Sequence, residues 1–324
     1  MHGVFLDIDT VDRGDLDLAP FDSLLTRWTA HRNTGPDELT QRIHDADVVI
    51  SNKVMLDSTA LQSAAKLKLV CIAATGTNNI DLDAARVRHI TVCNVTAYAT
   101  TSVVEHVFSQ LLILARHLDQ YREAVAGGRW QQSSGFCLLD YPIRELAGLS
   151  LGIIGHGELG QAVAAMGRAF GMDVLVAERK GKPLRPGRTP LDTVLATANV
   201  ISLHCPLNAE TRHLIGTREL ELMRDDAILV NTARGGIVDE TALVDALRAG
   251  RIGGAAVDVL TTEPPAAGNP LLESGLPNLL VTPHIAWAGI RSRQRLINAV
   301  IENIRAWQAG KPRNVISSQP VVAS

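Results

Sequence analysis

Short apolar runs alternate with segments of helical spacing through most of this chain. Val4–Ile8, Val48–Ser51, Leu69–Ala73 and Ile90–Asn94 are apolar runs of strand length. Ser58–Ala65 and Leu82–Arg88 lie between them and carry helical spacing. Such alternation predicts an α/β protein, its strands parallel in one sheet and its helices on both faces. Thr101 to Ala126 then reads as one long helix, opened by a Thr/Ser cluster that can cap it and closed by Gly127-Gly128. The stretch from Arg129 to about Leu149 is a loop holding Trp130, Phe136, Tyr141 and Pro142. Connections of that length are usually functional or interfacial.

A second β/α series begins at Leu149. Its strands are expected at about Ser150–Ile154, Asp173–Ala177, Val200–Leu203, Ala227–Asn231, Gly254–Val257 and Leu279–Thr282. From Ile290 to Ala309 the apolar positions Leu296, Ile297, Val300, Ile301, Ile304 and Trp307 have the spacing of an amphipathic helix. The tail from Ser317 to Ser324 is small and polar and is expected to fray. The sequence shows no repeat at a fixed period, yet two β/α series in one chain suggest two similar architectures.

Bulk properties add limits rather than chemistry. The 324 residues suggest two domains, and 46% hydrophobic with 20% charged residues is ordinary for a globular protein. A formal net charge of −3 provides no global field for nucleic acid or anionic lipid. The four cysteines, Cys71, Cys93, Cys137 and Cys205, form no C-x-x-C pair and sit near no His at zinc spacing. They read as isolated thiols of a reducing compartment, and no metal site is expected. The first residues lack the basic end and apolar run of a signal peptide, and stretches such as Val107–Leu114 are too short to span a membrane. The expectation is a soluble cytoplasmic protein.

The apolar run Leu151–Ile154 passes straight into Gly155-His156-Gly157-Glu158-Leu159-Gly160 and then into an apolar helical pattern. Strand, G-x-G-x-x-G loop and helix in that order are the arrangement that binds a dinucleotide. Gly155 permits the tight turn, Gly157 allows the backbone close to a pyrophosphate, and Gly160 allows helix and strand to pack closely. The pyrophosphate then meets the positive end of the helix dipole. The next expected strand ends at Glu178, 18 residues past Gly160, where a carboxylate can take the adenosine ribose hydroxyls. That carboxylate would repel a 2′-phosphate and so favours NAD, while Arg179-Lys180 leave NADP open.

Three polar residues lie just past later strand ends: Arg234 after Ile228–Val230, Glu263 after Ala255–Val257, and His284 after Leu279–Val281. Ligands of open α/β sheets bind outside the carboxyl ends of the strands, so these three can converge on one crevice. Reduction of a 2-keto acid needs a cation for its carboxylate, a proton donor for its carbonyl oxygen, and a hydride. The planar fork of Arg suits the first. His suits the second, and a neighbouring carboxylate would favour its protonated form and fix its orientation. The cofactor supplies the hydride.

With those residues in view, the chain resembles the D-isomer-specific 2-hydroxyacid dehydrogenase family from about Val48 to Lys311. The resemblance rests on Ala73–Asp81 (Ala-Ala-Thr-Gly-Thr-Asn-Asn-Ile-Asp), Ser102–His106, the glycine loop, His204-Cys205-Pro206-Leu207, Asn231–Glu240 and Thr282-Pro283-His284. Within the family it looks most like the glycerate dehydrogenase (hydroxypyruvate reductase) branch, on Tyr98–Thr100, Phe136–Leu138 and His284 with Trp287. The resemblance implies two Rossmann-like, doubly wound parallel-sheet domains. Residues 1–98 and 289–324 would form the substrate domain, with an NAD-binding domain at 99–288 inserted into it.

The resemblance also implies roles. Arg234 would bind the substrate carboxylate and carbonyl, Glu263 would pair with His284, and His284 would be the proton donor. Backbone groups around Thr75, Gly76 and Thr77 would touch the substrate carboxylate. Val103, Glu158, Leu159, Glu178, Pro206, Thr232, Ala233 and Asp258 would line the cofactor together with the loop glycines Gly155, Gly157 and Gly160. A homodimer built around the long helix and its following loop is implied as well. Two positions depart from the family's usual pattern: Glu158, whose charge would weaken pyrophosphate binding unless it points outward, and Glu178, where Asp is commoner. Two alternatives stay open: an NADH-binding, corepressor-like interaction protein, and a family member that oxidises formate or phosphite.

Overall fold

A computed structural model describes residues 1–316. The tail Ser317–Ser324, expected to fray, lies outside the described residues. The chain divides into two compact units, Met1–Ala99 with the segment from Ala288 onward, and Thr100–Trp287.

The first unit is built on β1 (His2–Phe5), β2 (Arg27–Ala30), β3 (Val48–Ser51), β4 (Leu69–Ile72) and β5 (Thr91–Cys93). They form a parallel sheet in the order β2-β1-β3-β4-β5. Its helices are α1 (Pro20–Leu24), α2 (Pro36–Ile43), α3 (Ser58–Ser63) and α4 (Leu82–Val87). Asp57 and Asp81 cap α3 and α4 by accepting from the N–H groups of Ala60 and Ala84 at 2.8 and 2.9 Å. Val4, Val49, Val70, Ile72 and Val92 project from the strands into one apolar core.

Two details correct the sequence-based expectation. The first strand ends at Phe5 rather than Ile8, and Ile8–Thr10 form a 3₁₀ turn. Asp7 is buried there and draws the chain aside: its carboxylate accepts Asn52 N–H at 2.9 Å and Lys53 N–H at 2.6 Å. The apolar pattern also missed β2, an edge strand whose residues are mostly exposed and so carry no apolar run.

The second unit opens with α5 (Thr100–Arg116) and α6 (Leu118–Ala126). One continuous helix was expected, but His117 stands in the left-handed region at φ +50° and breaks it. The carbonyl of Ala115, which a continuing helix would offer to the next turn, instead accepts Arg144 N–H at 2.9 Å from the following loop. That loop is tied down by Tyr121, whose hydroxyl donates to the Tyr141 carbonyl at 2.7 Å. Phe136 and Leu139 project outward, 93% and 77% exposed.

The sheet of this unit comprises β6 (Ser150–Ile154), β7 (Asp173–Val176), β8 (Val200–Leu203), β9 (Ile228–Asn231), β10 (Gly254–Val257) and β11 (Leu279–Val281). All pairs are parallel, in the order β11-β10-β9-β8-β6-β7. The interleaved helices are α7 (Glu158–Ala169), α8 (Leu191–Thr197), α9 (Thr217–Leu222), α10 (Glu240–Arg248) and α11 (Pro270–Glu273). From β6 the chain goes outward to β7 and then crosses back to β8 on the other side. The reversal between β6 and β8 opens a crevice beyond their carboxyl ends, where α/β sheets bind ligands. The last helix, α12 (Ile290–Gln308), returns to the first unit and buries Leu296, Ile297, Val300, Ile301 and Ile304, as its periodicity requires.

Candidate active site

The glycine loop occupies the crevice at the end of β6. Gly155 has φ +92°, and a Cβ there would stand 2.5–2.6 Å from the His204 and Cys205 backbone at the end of β8. A Cβ on Gly160 would lie 2.0 Å from the Gly155 carbonyl oxygen. Gly157, by contrast, faces open space, the clearance a pyrophosphate needs. Gly157 is the N-cap of the 12-residue α7, so the first amides of that helix are presented at this point. The oddly placed Glu158 is exposed, and its carboxylate is held by the Thr100 hydroxyl. Leu159 is half-buried beside it, and Val103 is buried on α5.

A cavity of about 460 Å³ continues from this loop along the ends of β7 and β8. Gly155, His156, Gly157, Glu178, His204 and Pro206 are among its lining residues. Glu178 is 4% exposed, and its carboxyl is pulled down to about 2, first by the Arg185 side chain and next by the Arg179 N–H. Burial, then Arg188 and Arg168, push His156 below its ordinary 6.5. His204 donates or accepts at the Ser202 hydroxyl through Nε2 at 2.8 Å, while its Nδ1 is buried without a partner among the described residues. Burial pushes His204 down to about 4. The glycine cradle, the helix N-terminus and the strand-end carboxylate together fit a dinucleotide. The Thr232 hydroxyl, just past β9, is buried without a hydrogen-bond partner among the described residues and fits a polar ligand group.

Arg234, Glu263 and His284 follow β9, β10 and β11, three neighbouring strands of the sheet. Asn231 fixes the turn after β9: its amide donates to the Arg234 carbonyl at 3.0 Å, and its Oδ1 accepts Ala233 N–H at 3.1 Å. The Arg234 guanidinium donates to the Ala233 carbonyl at 2.7 Å and is half-buried. Gly235 lets the β10 loop approach, because a Cβ there would fall 1.9 Å from the Leu260 carbonyl oxygen. Within that loop Glu263 accepts Leu260 N–H through Oε1 at 2.7 Å and meets His284 Nδ1 through Oε2 at 2.6 Å. The carboxylate thus holds Nδ1–H, and Nε2 of His284 is the nitrogen left to face a ligand.

His284 itself sits at φ +55°, a conformation that costs a non-glycine residue about 1–2 kcal/mol. A buried network imposes it. Asp258, 1% exposed, accepts the Thr282 hydroxyl at 2.6 Å and the N–H groups of Ile285 and Ala286 at 2.9 Å each, bracketing His284 on both sides. His106 and Gln110 on α5 reach the same Thr282 hydroxyl at 3.0 and 3.1 Å. Trp287 donates to the His284 carbonyl at 2.9 Å. His106, Gln110 and Thr282 were not singled out as site residues, and neither were Arg185 and Arg188. The helical spacing of His106 and Gln110 was visible, but their partner lies more than 170 positions away.

In the first unit Thr75, Gly76 and Thr77 follow β4. The Thr75 hydroxyl donates to the Val95 carbonyl at 2.8 Å, and the Asn94 amide donates to the Thr75 carbonyl at 2.8 Å. Gly76 and Thr77 are half-exposed.

A family model described as the NAD binding domain of D-isomer specific 2-hydroxyacid dehydrogenases matches residues 108–286. The chain belongs to this family. A glycerate dehydrogenase of Methylorubrum extorquens is 44% identical over 283 residues, 87% of this chain and 89% of that protein. A hydroxypyruvate reductase of Blautia hydrogenotrophica is 35% identical over 98% of this chain and all of that one. Among solved structures, a D-lactate dehydrogenase of Aquifex aeolicus complexed with NAD and lactic acid superposes with a TM-score of 0.80 at 27% identity, covering 98% of this chain and 99% of that one. This 2-hydroxyacid dehydrogenase is therefore an NAD-dependent oxidoreductase, and the corepressor-like alternative falls away. Among the described residues no helix is long and apolar enough to cross a membrane, and no cluster of His, Cys, Asp and Glu could hold a metal ion.

Proposed function

We propose that this dehydrogenase reduces hydroxypyruvate to D-glycerate, with glyoxylate, which gives the achiral glycolate, as the alternative substrate. The observation that carries the reading is the 2.6 Å pair of Glu263 and His284 at the carboxyl edge of the sheet, with Arg234 on the adjacent turn. Its substrate follows the glycerate dehydrogenase and hydroxypyruvate reductase among the relatives. Arg234 pairs its guanidinium fork with the substrate carboxylate and carbonyl. Backbone groups of Thr75, Gly76 and Thr77 are assigned to binding of the substrate carboxylate as well. His284 gives the proton on Nε2 to the carbonyl oxygen, and Glu263 stabilises the imidazolium beforehand and keeps the ring aimed. Bound NADH supplies the hydride. Asp258 acts through the backbone of residues 285 and 286 to hold His284 in place.

Residues 99–288 are the NAD-binding domain in this reading. The glycine loop with Glu158 and Leu159 holds the pyrophosphate, Glu178 and Pro206 the adenosine half, and Val103, Thr232, Ala233 and Asp258 the nicotinamide half. Residues 1–98 and 289–324 form the substrate domain. The enzyme is a cytoplasmic homodimer: the described cysteines are all free thiols, which suits a reducing compartment, and the exposed Phe136 and Leu139 offer an apolar face to a second copy. Light scattering on the eluting peak should return twice the chain mass, and a monomeric mass would remove that part.

The test of activity is a screen of purified protein with NADH against short 2-keto acids. Hydroxypyruvate should give the highest kcat/KM. Absence of turnover on every 2-keto acid would sink the reading.

A further inference from the structure

The end of the cavity past β7 gathers four cationic side chains. Arg179, Lys180, Arg185 and Arg188 line it against the carboxylates of Glu178 and Glu210. Lys180 is engaged by Glu219 at 2.9 Å. Arg179 and Arg188 find no carboxylate among the described residues. Arg185 lies on Glu178 itself, its Nη2 2.7 Å from Oε1 and its Nε 2.8 Å from Oε2. The N–H groups of Arg179 and Arg185 add bonds at 2.8 and 3.2 Å. A carboxylate has about four acceptor positions, and all are taken here. Glu178 thus has none left for ribose hydroxyls until Arg185 moves, and its charge is already neutralised by a bidentate partner.

Arg185 is equipped to do more than mask a charge. Its side chain is half-exposed on a loop bounded by Gly181 and Gly187, both at positive φ. A guanidinium carries five N–H donors in a planar fork. Nε and one Nη2 hydrogen are committed to Glu178, which leaves the Nη1 edge for another anion. A dianionic phosphate ester on the ribose is the anion whose chemistry matches that edge together with two further guanidinium groups.

We propose that Arg185 makes this a dual-cofactor site. It screens Glu178 and presents its remaining N–H groups, with Arg179 and Arg188, to the 2′-phosphate of NADP(H), and it swings off Glu178 when NAD(H) binds. The proposal rests on assigning the cavity to the adenosine half of the cofactor, so its test separates the two claims. Calorimetric titration of the full-length enzyme with 5′-AMP probes the cavity alone, and 2′,5′-ADP probes the added phosphate. In the native enzyme 2′,5′-ADP should bind within about threefold of 5′-AMP or more tightly. Arg185→Ala should weaken 2′,5′-ADP by about tenfold or more while 5′-AMP binding holds or improves. Arg185→Lys should restore part of the loss, and Arg188→Ala should weaken 2′,5′-ADP alone by a smaller factor. The ratio of kcat/KM for NADPH over NADH should move in parallel. If the native enzyme binds 2′,5′-ADP more than tenfold more weakly than 5′-AMP, or Arg185→Ala alters both nucleotides equally or neither, the proposal fails while the cavity assignment stands. If neither nucleotide binds, the cavity assignment fails and takes the proposal with it.

Discussion

The two units of this enzyme are the same kind of object, a parallel sheet flanked by helices, yet only one is built to hold a dinucleotide. The difference begins just past the end of the first strand. In the first unit β1 leads to Asp7, a buried carboxylate that accepts three N–H groups from residues 52–54. Burial still holds that carboxyl above its ordinary 3.8. The crevice position is thereby filled by the protein's own anion. In the second unit β6 leads to Gly155, which carries no side chain and packs directly against the backbone of His204 and Cys205. The contrast continues at the other strand ends. In the first unit Asn52, Asn79 and Asn94 use their amides on neighbouring protein groups. The second unit leaves Thr232 Oγ1 and His204 Nδ1 buried without partners among the described residues. One architecture closes its polar strand ends for stability, and the other leaves them unfinished for a ligand.

That comparison can be broken most forcefully at His284. His284→Gln should lower kcat by about 10²–10⁴ while the melting temperature and NADH binding stay near native. A loss below tenfold would show that the proton comes from elsewhere. Arg234→Ala should lower kcat/KM by about 10²–10³ through KM and kcat together, because a paired carboxylate loses its fork. An unchanged KM would remove its role. Both results belong to the unfinished unit.

The finished unit should respond in the opposite sense. Asp7→Ala strands three N–H groups and should cost about 2–4 kcal/mol in chemical denaturation, with kcat per folded molecule little changed. A variant of native stability would show that the Asp7 cluster is not structural. The smallest effect concerns His204. Its folded value of about 4 lies below its ordinary 6.5, so between these the unfolded chain takes up a proton that the folded chain refuses. Stability should therefore be complete above about 6.5 and decline as the pH falls toward 4. His204→Gln should flatten that slope by a few degrees in a melting series. An unchanged slope would assign the pH dependence to other groups.

Much of this was legible along the chain. Alternating apolar runs announce parallel sheets because a strand covered on both faces is mostly apolar, and the strands of the second unit lie within a residue of the expected bounds. The glycine loop, Glu178, Arg234, Glu263 and His284 were visible because they stand immediately after such runs, where α/β sheets gather their chemistry. Local pattern failed wherever a distant group decides the backbone. The break at His117 depends on Arg144 capturing a helix carbonyl, and the early end of β1 depends on N–H groups near residue 52. The exposed edge strand β2 has no apolar signature to read.

The sequence by itself determined the fold class, the kind of cofactor and the strand ends at which the three polar residues stand, because each is tied to a strand end by spacing alone. Tertiary structure alone decided how those residues are held. The left-handed turn at His284 exists because Asp258, Thr282, His106 and Gln110 meet across long separations. The state of Glu178 is set by Arg185, seven positions on in a basic loop whose residues look interchangeable until one of them is seen to close on the carboxylate. Spacing reports what a strand end can offer, whereas long-range hydrogen bonds determine which of those offers remains open to a ligand.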